Sequence, residues 1–160
     1  MTENTTTNKP QQQLSIQKIY IKDASFESPS GASIFSKPWK PKIDVEINTN
    51  GSRLTDNQFE VILTATVTAK LEEDTAFLVE IQQAGVFEIM GFDESGLAAM
   101  LGSYCPNILF PYVRESISDL IVRGGFPQFS LTPVNFEALY AQKMQQLKQE
   151  TKQAENAVKH

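Results

Sequence analysis

The sequence predicts an α+β fold, in which a four-stranded antiparallel sheet precedes two helices that pack on one of its faces. Four segments in the first half of the chain alternate apolar and polar residues, which is typical of antiparallel strands with one buried face. In the second half the apolar residues recur at helical spacing, in two segments separated by prolines. Strands and helices that occupy separate parts of a chain are typical of α+β domains.

The composition fits one domain with a real core, since the chain has 160 residues and 41% of them are hydrophobic. A net charge of −5 argues against nucleic acid as the main partner, because phosphate binding requires a concentrated basic surface. The single cysteine, Cys105, excludes an intrachain disulfide. The sequence has no apolar leader and no stretch of membrane-spanning length, and it therefore predicts a cytoplasmic protein that is not inserted in a membrane.

The first strand is predicted from residue 14 to about residue 26, after a polar tail at 1–13 that is expected to be disordered. Its apolar positions change parity between Ile16 and Ile19. Because side chains alternate strictly along a strand, this change predicts a β-bulge near Gln17-Lys18.

Three further strands are predicted at 42–48, 59–71 and 76–87. A turn is expected at 49–57, where Asn50-Gly51 can adopt positive φ. The last of these strands carries apolar residues on both faces and therefore needs cover on both. The helices can cover one face, and the other predicts a second subunit.

The first helix is expected to begin at Asp93, whose side chain can cap it, and to end at Gly124-Gly125. Two prolines within it predict breaks or kinks at the residues that precede them, Cys105 and Phe110. The last helix is predicted to begin near Asn135. The polar tail at 148–160 is expected to be disordered.

The sequence contains no arrangement suited to catalysis or metal binding. Its only histidine, His160, lies at the end of the polar tail, so Cys105 lacks the histidine partner that nucleophilic catalysis or a zinc site would need. Three consecutive acids at 72–74 fit a solvated hairpin turn better than a metal site. We therefore expect a protein that is not an enzyme and that uses no cofactor.

Aromatic residues in proline-bounded loops suggest a binding role, because complete burial is difficult there; they are Phe35, Trp39, Phe126 and Phe129. If both loops border one groove beside Tyr140 and Met144 of the last helix, this surface suits varied apolar ligands. An ordinary core is an equally good interpretation of the loop aromatics. Three other aromatics are expected to be core, namely Tyr104, Tyr112 and Phe136.

The uncharged segment 104–112, with the sequence YCPNILFPY, resembles the signature of the SecB family of bacterial protein-export chaperones. Segments 19–27, 73–78 and 126–136 agree as well, and the resemblance spans roughly residues 15–147. It implies a sheet in the order 1-4-3-2 with two helices on one face, assembled as a dimer of dimers. It also implies an ATP-independent cytosolic chaperone that holds unfolded secretory precursors and delivers them to SecA, the motor ATPase of the translocon.

The resemblance further implies three sets of site residues. Binding of the basic tail of SecA is implied for Asp23, Glu27, Leu78 and Glu80. An influence on the oligomeric state is implied for Val79, Ile81 and Gln83. Contacts with unfolded precursors are expected for Phe35, Trp39, Phe126, Phe129, Leu131, Tyr140 and Met144. A hydrophobic small-molecule carrier or a structural adaptor that uses the same groove is the alternative function.

Overall fold

The computed structural model describes residues 9–158. Its strands form one antiparallel sheet in the order β1-β4-β3-β2, which confirms the predicted fold class and strand order. The strands are β1 (Gln13–Glu27), β2 (Lys42–Arg53), β3 (Gln58–Leu71) and β4 (Asp74–Met90). The helices are α1 (Glu94–Ala99), α2 (Cys105–Arg123) and α3 (Phe136–Val158), and a short 3-10 helix, Gly31–Ser36, lies between β1 and β2.

The core lies between α2 and one face of the sheet. Odd-numbered residues of β3 are buried and even-numbered ones are partly or fully exposed, as their alternation predicts. α2 lies across β3 and β4, where Gly85 of β4 faces Leu109 of α2. The residues that α2 buries here recur at helical spacing: Leu109, Val113, Ile117 and Ile121. We call the opposite side of the sheet the open face.

The predicted bulge in β1 is confirmed, because the pairing of β1 with β4 shifts by one residue between Ile16 and Lys18. A second shift, which the sequence analysis missed, lies between Ile21 and Asp23. Next to it, the buried side chain of Gln83 donates a hydrogen bond to the Tyr20 carbonyl at 2.9 Å. The amide of Gln83 thus satisfies a backbone acceptor at the irregular part of the strand.

The predicted turn at 49–57 is wrong in its first half. β2 continues through Arg53, and Asn50-Gly51 pairs with Ile62 and Val61 of β3. The turn is confined to the residues after β2, where the Leu54 N–H donates to the Gln58 carbonyl at 2.8 Å. Pairing along the full length of β3 therefore outweighs the local turn preference of Asn-Gly.

The helix continues through Pro106 and Pro111, so the breaks predicted at Cys105 and Phe110 are wrong. The helical hydrogen bonding does change at Cys105, where α2 begins. Both residues are buried inside α2, which is preceded by a wider π-helical turn, Met100–Tyr104. In this turn the Cys105 N–H donates to the Met100 carbonyl, five residues back. The wide turn precedes the first proline, Pro106, which lies in the first turn of α2, where a missing N–H is tolerated.

The predicted start of α1 and the predicted end of α2 agree with the structure. The Asp93 side chain accepts a hydrogen bond from the Gly96 N–H at 2.7 Å and caps α1, and this bond lowers the pKa of the carboxyl. α2 ends at Arg123. Gly125, at φ 88°, donates to the Val122 carbonyl, and Phe126 donates to the Ile121 carbonyl. This pair of bonds is a Schellman motif.

The two tails differ in what the structure describes. Residues 1–8 and 159–160 lie outside the described part, and 9–12 form no regular element. Residues 148–158 continue α3 as an exposed helix, where the sequence analysis expects disorder. Within residues 9–158, none of the helices combines the length and apolarity that crossing a membrane requires.

Candidate functional site

An aromatic cluster forms where the 3-10 helix meets the end of α2. The ring of Phe126 lies 5.0 Å from that of Phe35, 5.5 Å from Trp39 and 5.1 Å from Phe77, measured between centroids. Phe26 of β1 completes the cluster by stacking on Phe77. The cluster therefore joins the long loop, the sheet and the segment after α2.

Only part of this cluster is available to a ligand. Phe126 is 5% exposed, because the Schellman motif directs the chain inward after Gly125. Phe35 is 54% exposed, and Trp39 is partly buried. Phe35, with the accessible part of Trp39, is thus the surface on which an apolar ligand could bind.

A separate cleft of about 690 Å³ lies between β2 and α3. One wall is the stretch of β2 from Ile47 to Gly51, and the floor includes Leu101 and Gly102 of the π-helical turn. The other wall is α3, which contributes most of the apolar lining: Phe136, Leu139, Tyr140, Met144 and Leu147. We refer to this feature as the cleft.

Tyr140 is seated directly on Gly102. A Cβ at Gly102 would lie 2.5 Å from Cδ2 of the Tyr140 ring, which is closer than atoms of this kind can approach. The missing side chain in the π-helical turn therefore allows the Tyr140 ring of α3 to pack directly on this turn.

The seven residues predicted to contact precursors fall into three places. Phe35, Trp39 and Phe126 belong to the aromatic cluster, and Tyr140 and Met144 line the cleft. The rest lie in the segment that connects α2 to α3, where Phe129 is partly buried and Leu131 is buried. The single groove expected from sequence is therefore divided, since no aromatic residue of the cluster lines the cleft.

Sequence reasoning missed several residues of the cleft. Ile47 belongs to the alternating pattern of β2, and Leu101 and Leu139 belong to helical stripes, so each was interpreted only as packing. Among the expected core aromatics, Phe136 is buried, whereas Tyr104 and Tyr112 are exposed on the helix surface. That prediction is wrong for both tyrosines, because the π-helical turn directs Tyr104 toward solvent and α2 directs Tyr112 toward solvent.

The four residues implied for SecA binding lie together on the open face. Glu27 pairs with Leu78, and the next pair on the same face is Ser25 with Glu80. Asp23 lies two residues before Ser25 on β1. Register partners in antiparallel strands place their side chains on the same face. Glu80 accepts a hydrogen bond from the Thr66 hydroxyl at 3.1 Å.

Two further acids extend this surface and were not predicted. Glu46 and Asp44 of β2 pair with Thr66 and Thr68 of β3, which in turn pair with Glu80 and Leu78. This group of acids therefore spans three strands of the face, β1, β4 and β2. Within residues 9–158, none of these carboxylates is in an ion pair: Asp23, Glu27, Asp44, Glu46 and Glu80.

A second charged group lies further along the open face. The Tyr20 hydroxyl donates to a carboxylate oxygen of Glu60, and the Lys22 ammonium lies 3.1 Å from the same carboxylate. The hydrogen bond from Tyr20, followed by Lys22, lowers the pKa of Glu60. The Tyr20 pKa is raised by the same hydrogen bond.

The residues implied to influence oligomeric state are not on the surface of this chain. Val79, Ile81 and Gln83 are buried on the face of β4 that packs toward α2. A role in assembly would therefore act indirectly, through the shape of β4.

The described part of the chain offers no cluster of three or more metal-ligating side chains. Cys105 is buried, and this burial raises the pKa of its thiol to about 12, so it stays protonated at neutral pH.

Comparison with known proteins decides the family. The family model described as preprotein translocase subunit SecB matches residues 7–147. The chain belongs to the SecB family. Protein-export protein SecB of Methylococcus capsulatus is 50% identical over 146 residues, which cover 91% of this chain and 94% of that protein. The SecB of Hahella chejuensis is 51% identical over 151 residues, covering 93% and 94%.

A solved structure supports the fold of this chain. It is a SecB-like chaperone of Mycobacterium tuberculosis in complex with a peptide from an antitoxin. The TM-score is 0.61 at 17% identity, and the match covers 76% of this chain and 90% of that one. The family and its curated members establish the function: this chain is a holding chaperone of protein export and not an enzyme.

Proposed function

We propose that this protein works in the cytoplasm and holds unfolded precursors on the cleft and on the exposed edge of the aromatic cluster. The observation that carries the proposal is the cleft itself. Its walls come from β2, the π-helical turn and α3, and apolar side chains such as Leu139, which is 45% exposed, face solvent there. Exposed apolar surface of this kind is typical of binding sites.

Apolar burial explains how such a surface selects unfolded chains. An unfolded precursor exposes side chains that the folded protein hides. Burying one large apolar side chain contributes about 1.5–3 kcal/mol, so one cleft alone would bind weakly and reversibly. In a homotetramer, a dimer of dimers, several clefts could bind the same chain and raise the affinity by avidity. Precursors that fold slowly would be held preferentially.

The acids of the open face support SecA as the second partner. Asp23, Glu27 and Glu80, with Leu78 between them, form a surface that complements a basic peptide. This surface and the cleft lie on different parts of the chain. A precursor and the basic tail of SecA could therefore bind at the same time.

A matched pair of leucine substitutions tests the cleft. Leu139→Ser should weaken binding of a permanently unfolded polypeptide roughly tenfold, because it removes apolar area that the ligand would bury. Leu54→Ser is the control, since Leu54 is 51% exposed but lies in the turn between β2 and β3. Binding would be measured by calorimetry at equal protein concentration.

If the Leu139→Ser and Leu54→Ser proteins bind the unfolded polypeptide with equal affinity, the cleft is not its binding site. A small hydrophobic ligand that copurifies in fixed proportion and blocks the unfolded chain would instead favour a carrier. One fixed protein partner, bound equally well when folded, would favour an adaptor.

A charge reversal on the open face tests the SecA surface. Glu80→Lys should abolish most binding of a basic peptide with the sequence of the SecA tail, because it replaces an attractive charge with a repulsive one. Glu88→Lys is the control, since Glu88 is on the same face of β4 but pairs with Ser15 at its other end. Both variants should bind unfolded chains normally. Wild-type affinity of the Glu80→Lys protein for the peptide would overturn the assignment.

A further inference from the structure

The second half of α3 carries a mainly apolar stripe along one side, in which Thr151 is the polar member. Beyond Tyr140 it continues at alternating spacings of four and three residues: Met144, Leu147, Thr151, Ala154 and Val158. This is the spacing of the a and d positions in a coiled-coil heptad. All five residues are exposed in the structure.

The stripe begins at the cleft and continues beyond it toward the C-terminal end of α3. Met144 and Leu147 line the end of the cleft, and the same two residues border a shallow depression that continues to Thr151. A helix lying along the stripe would therefore extend an apolar surface that already exists. The remaining question is which helix fits.

The charges that flank the stripe answer this question. Lys143 and Glu150 occupy g positions of the heptad, and Lys148 and Glu155 occupy e positions. In a parallel pair of these helices, g faces e of the next heptad, so Lys143 would meet Lys148 and Glu150 would meet Glu155. Both pairs would repel.

An antiparallel pair has the opposite outcome. There g faces g and e faces e, so Lys143 meets Glu150 and Lys148 meets Glu155 of the second helix. A single register, centred on Gln149, satisfies both sets of ion pairs. The same register places Met144 opposite Ala154 and Leu147 opposite Thr151, so a larger side chain meets a smaller one in each layer.

We propose that the α3 helices of two copies of this chain pair antiparallel along the 144–158 stripe. A stripe this short is marginal as an isolated coiled coil, so the two copies have to be held together by other contacts. In this respect the inference rests on the assembly in the proposed function. Pairing would cover Met144 and Leu147 and so close one end of the cleft.

Distances between spin labels test the pairing in the full-length protein. The three f positions, Gln142, Gln149 and Asn156, point away from the stripe and are exposed. Each is replaced by cysteine in turn and labelled; Cys105 is buried and stays unlabelled. We expect the shortest distance between copies at Gln149→Cys. The labels at Gln142→Cys and at Asn156→Cys should each be separated by a further two heptads, about 21 Å along the helix axis.

Charge variants identify the cause of the pairing. Lys148→Glu places a second carboxylate opposite Glu155 and should broaden all three distance distributions. Adding Glu155→Lys to it restores opposite charges and should restore the distances. Equal distances at all three labels would mean a parallel pair and would overturn the proposal. So would broad distributions that Lys148→Glu leaves unchanged.

Light scattering on the same samples distinguishes failure of the α3 pairing from failure of the proposed assembly. An oligomer with broad label distances overturns the pairing but leaves the assembly intact. A monomer overturns both the assembly and the pairing. Binding of an unfolded polypeptide, measured in parallel, reports on the chaperone function independently of either result.

Discussion

No helix covers the open face in the described part of the chain. There, a hydrogen bond between side chains links two strands that are not neighbours. Tyr20 of β1 reaches Glu60 of β3, and β4 lies between these two strands. The bridge therefore has to pass over Ala84, the register partner of Tyr20, which is buried although it lies on the open face. A small residue at position 84 leaves the space that the Tyr20 ring needs.

Acid pH should weaken this bridge before it affects the core. The pKa of Glu60 is lowered in the folded state, so its stabilisation is present above its unfolded value and is lost as the pH falls through the lowered one. Glu60→Gln should therefore cost about 1 kcal/mol near pH 7 and less near pH 3. Urea unfolding of both proteins across this pH range measures the difference.

This measurement has one control variant, and high pH tests the other side chain of the same bridge. Glu73→Gln removes a carboxylate from the exposed β3–β4 turn and should change stability little at any pH. The Tyr20 pKa is raised, so its stabilisation is present below pH 10 and is lost as the pH rises through the raised value. A Glu60→Gln cost that stays constant from pH 7 to pH 3 would contradict this account.

The sequence could not predict this bridge, although it predicted much of the local pattern. Change of parity along β1 correctly located the first bulge, because apolar residues mark which face is buried. The second bulge lies where polar side chains occupy positions 22 and 23, which give no parity signal. Tyr20 and Glu60 are 40 residues apart in sequence, so only the sheet order brings them together.

For whole elements, the capped helix ends were predictable, whereas the strand ends and the C-terminal end of α3 were not. Asp93 caps α1 and Gly124-Gly125 ends α2 as expected, because capping depends on the residues of the end itself. β2 exceeds its predicted length by five residues, from Asn48 to Arg53, because the pairing partners for its second half lie on β3. Strand ends are set by their neighbours, which a local pattern does not contain.

The turn after α2 should be sensitive to a single methyl group. Gly125→Ala places a side chain at φ 88° and should cost about 1–2 kcal/mol. Because Gly125 directs Phe126 into the aromatic cluster, the fluorescence of Trp39, 5.5 Å from Phe126, should change as well. Trp39 is the only tryptophan, so the signal reports on this cluster alone.

Gly51→Ala is the matched control for this turn. A Cβ at Gly51 would lie 3.6 Å from Leu101, an ordinary contact, and Gly51 has no positive φ. It should leave Trp39 fluorescence unchanged and stability within about 1 kcal/mol of wild type. Equal losses of stability in the two variants would show that the backbone conformation of Gly125 is not the cause.

At the scale of the whole molecule, the family and the strand order followed from the sequence, whereas the shape of the binding surface did not. The uncharged 104–112 segment pointed to the SecB family, which the family model and close relatives confirm. The seven proposed precursor contacts were expected in one groove but occupy separate places. Their separation follows from long-range packing, since the cluster joins the long loop to the end of α2 whereas the cleft lies between β2 and α3.

In the proposed tetramer, one unfolded chain could bind at several of these separate places. The cleft and the exposed Phe35 edge are each small, and a long unfolded chain would need to contact several of them to be held. Fewer than one bound polypeptide per subunit is therefore expected. This stoichiometry separates a holding chaperone from a carrier that binds one ligand at each cleft.

The most direct measurement is calorimetric titration of this protein with one polypeptide in two forms, permanently unfolded and native. We predict that only the unfolded form binds, at fewer than one chain per subunit. Binding of both forms with equal affinity, or of neither, would contradict the conclusion that the chain recognises exposed apolar segments.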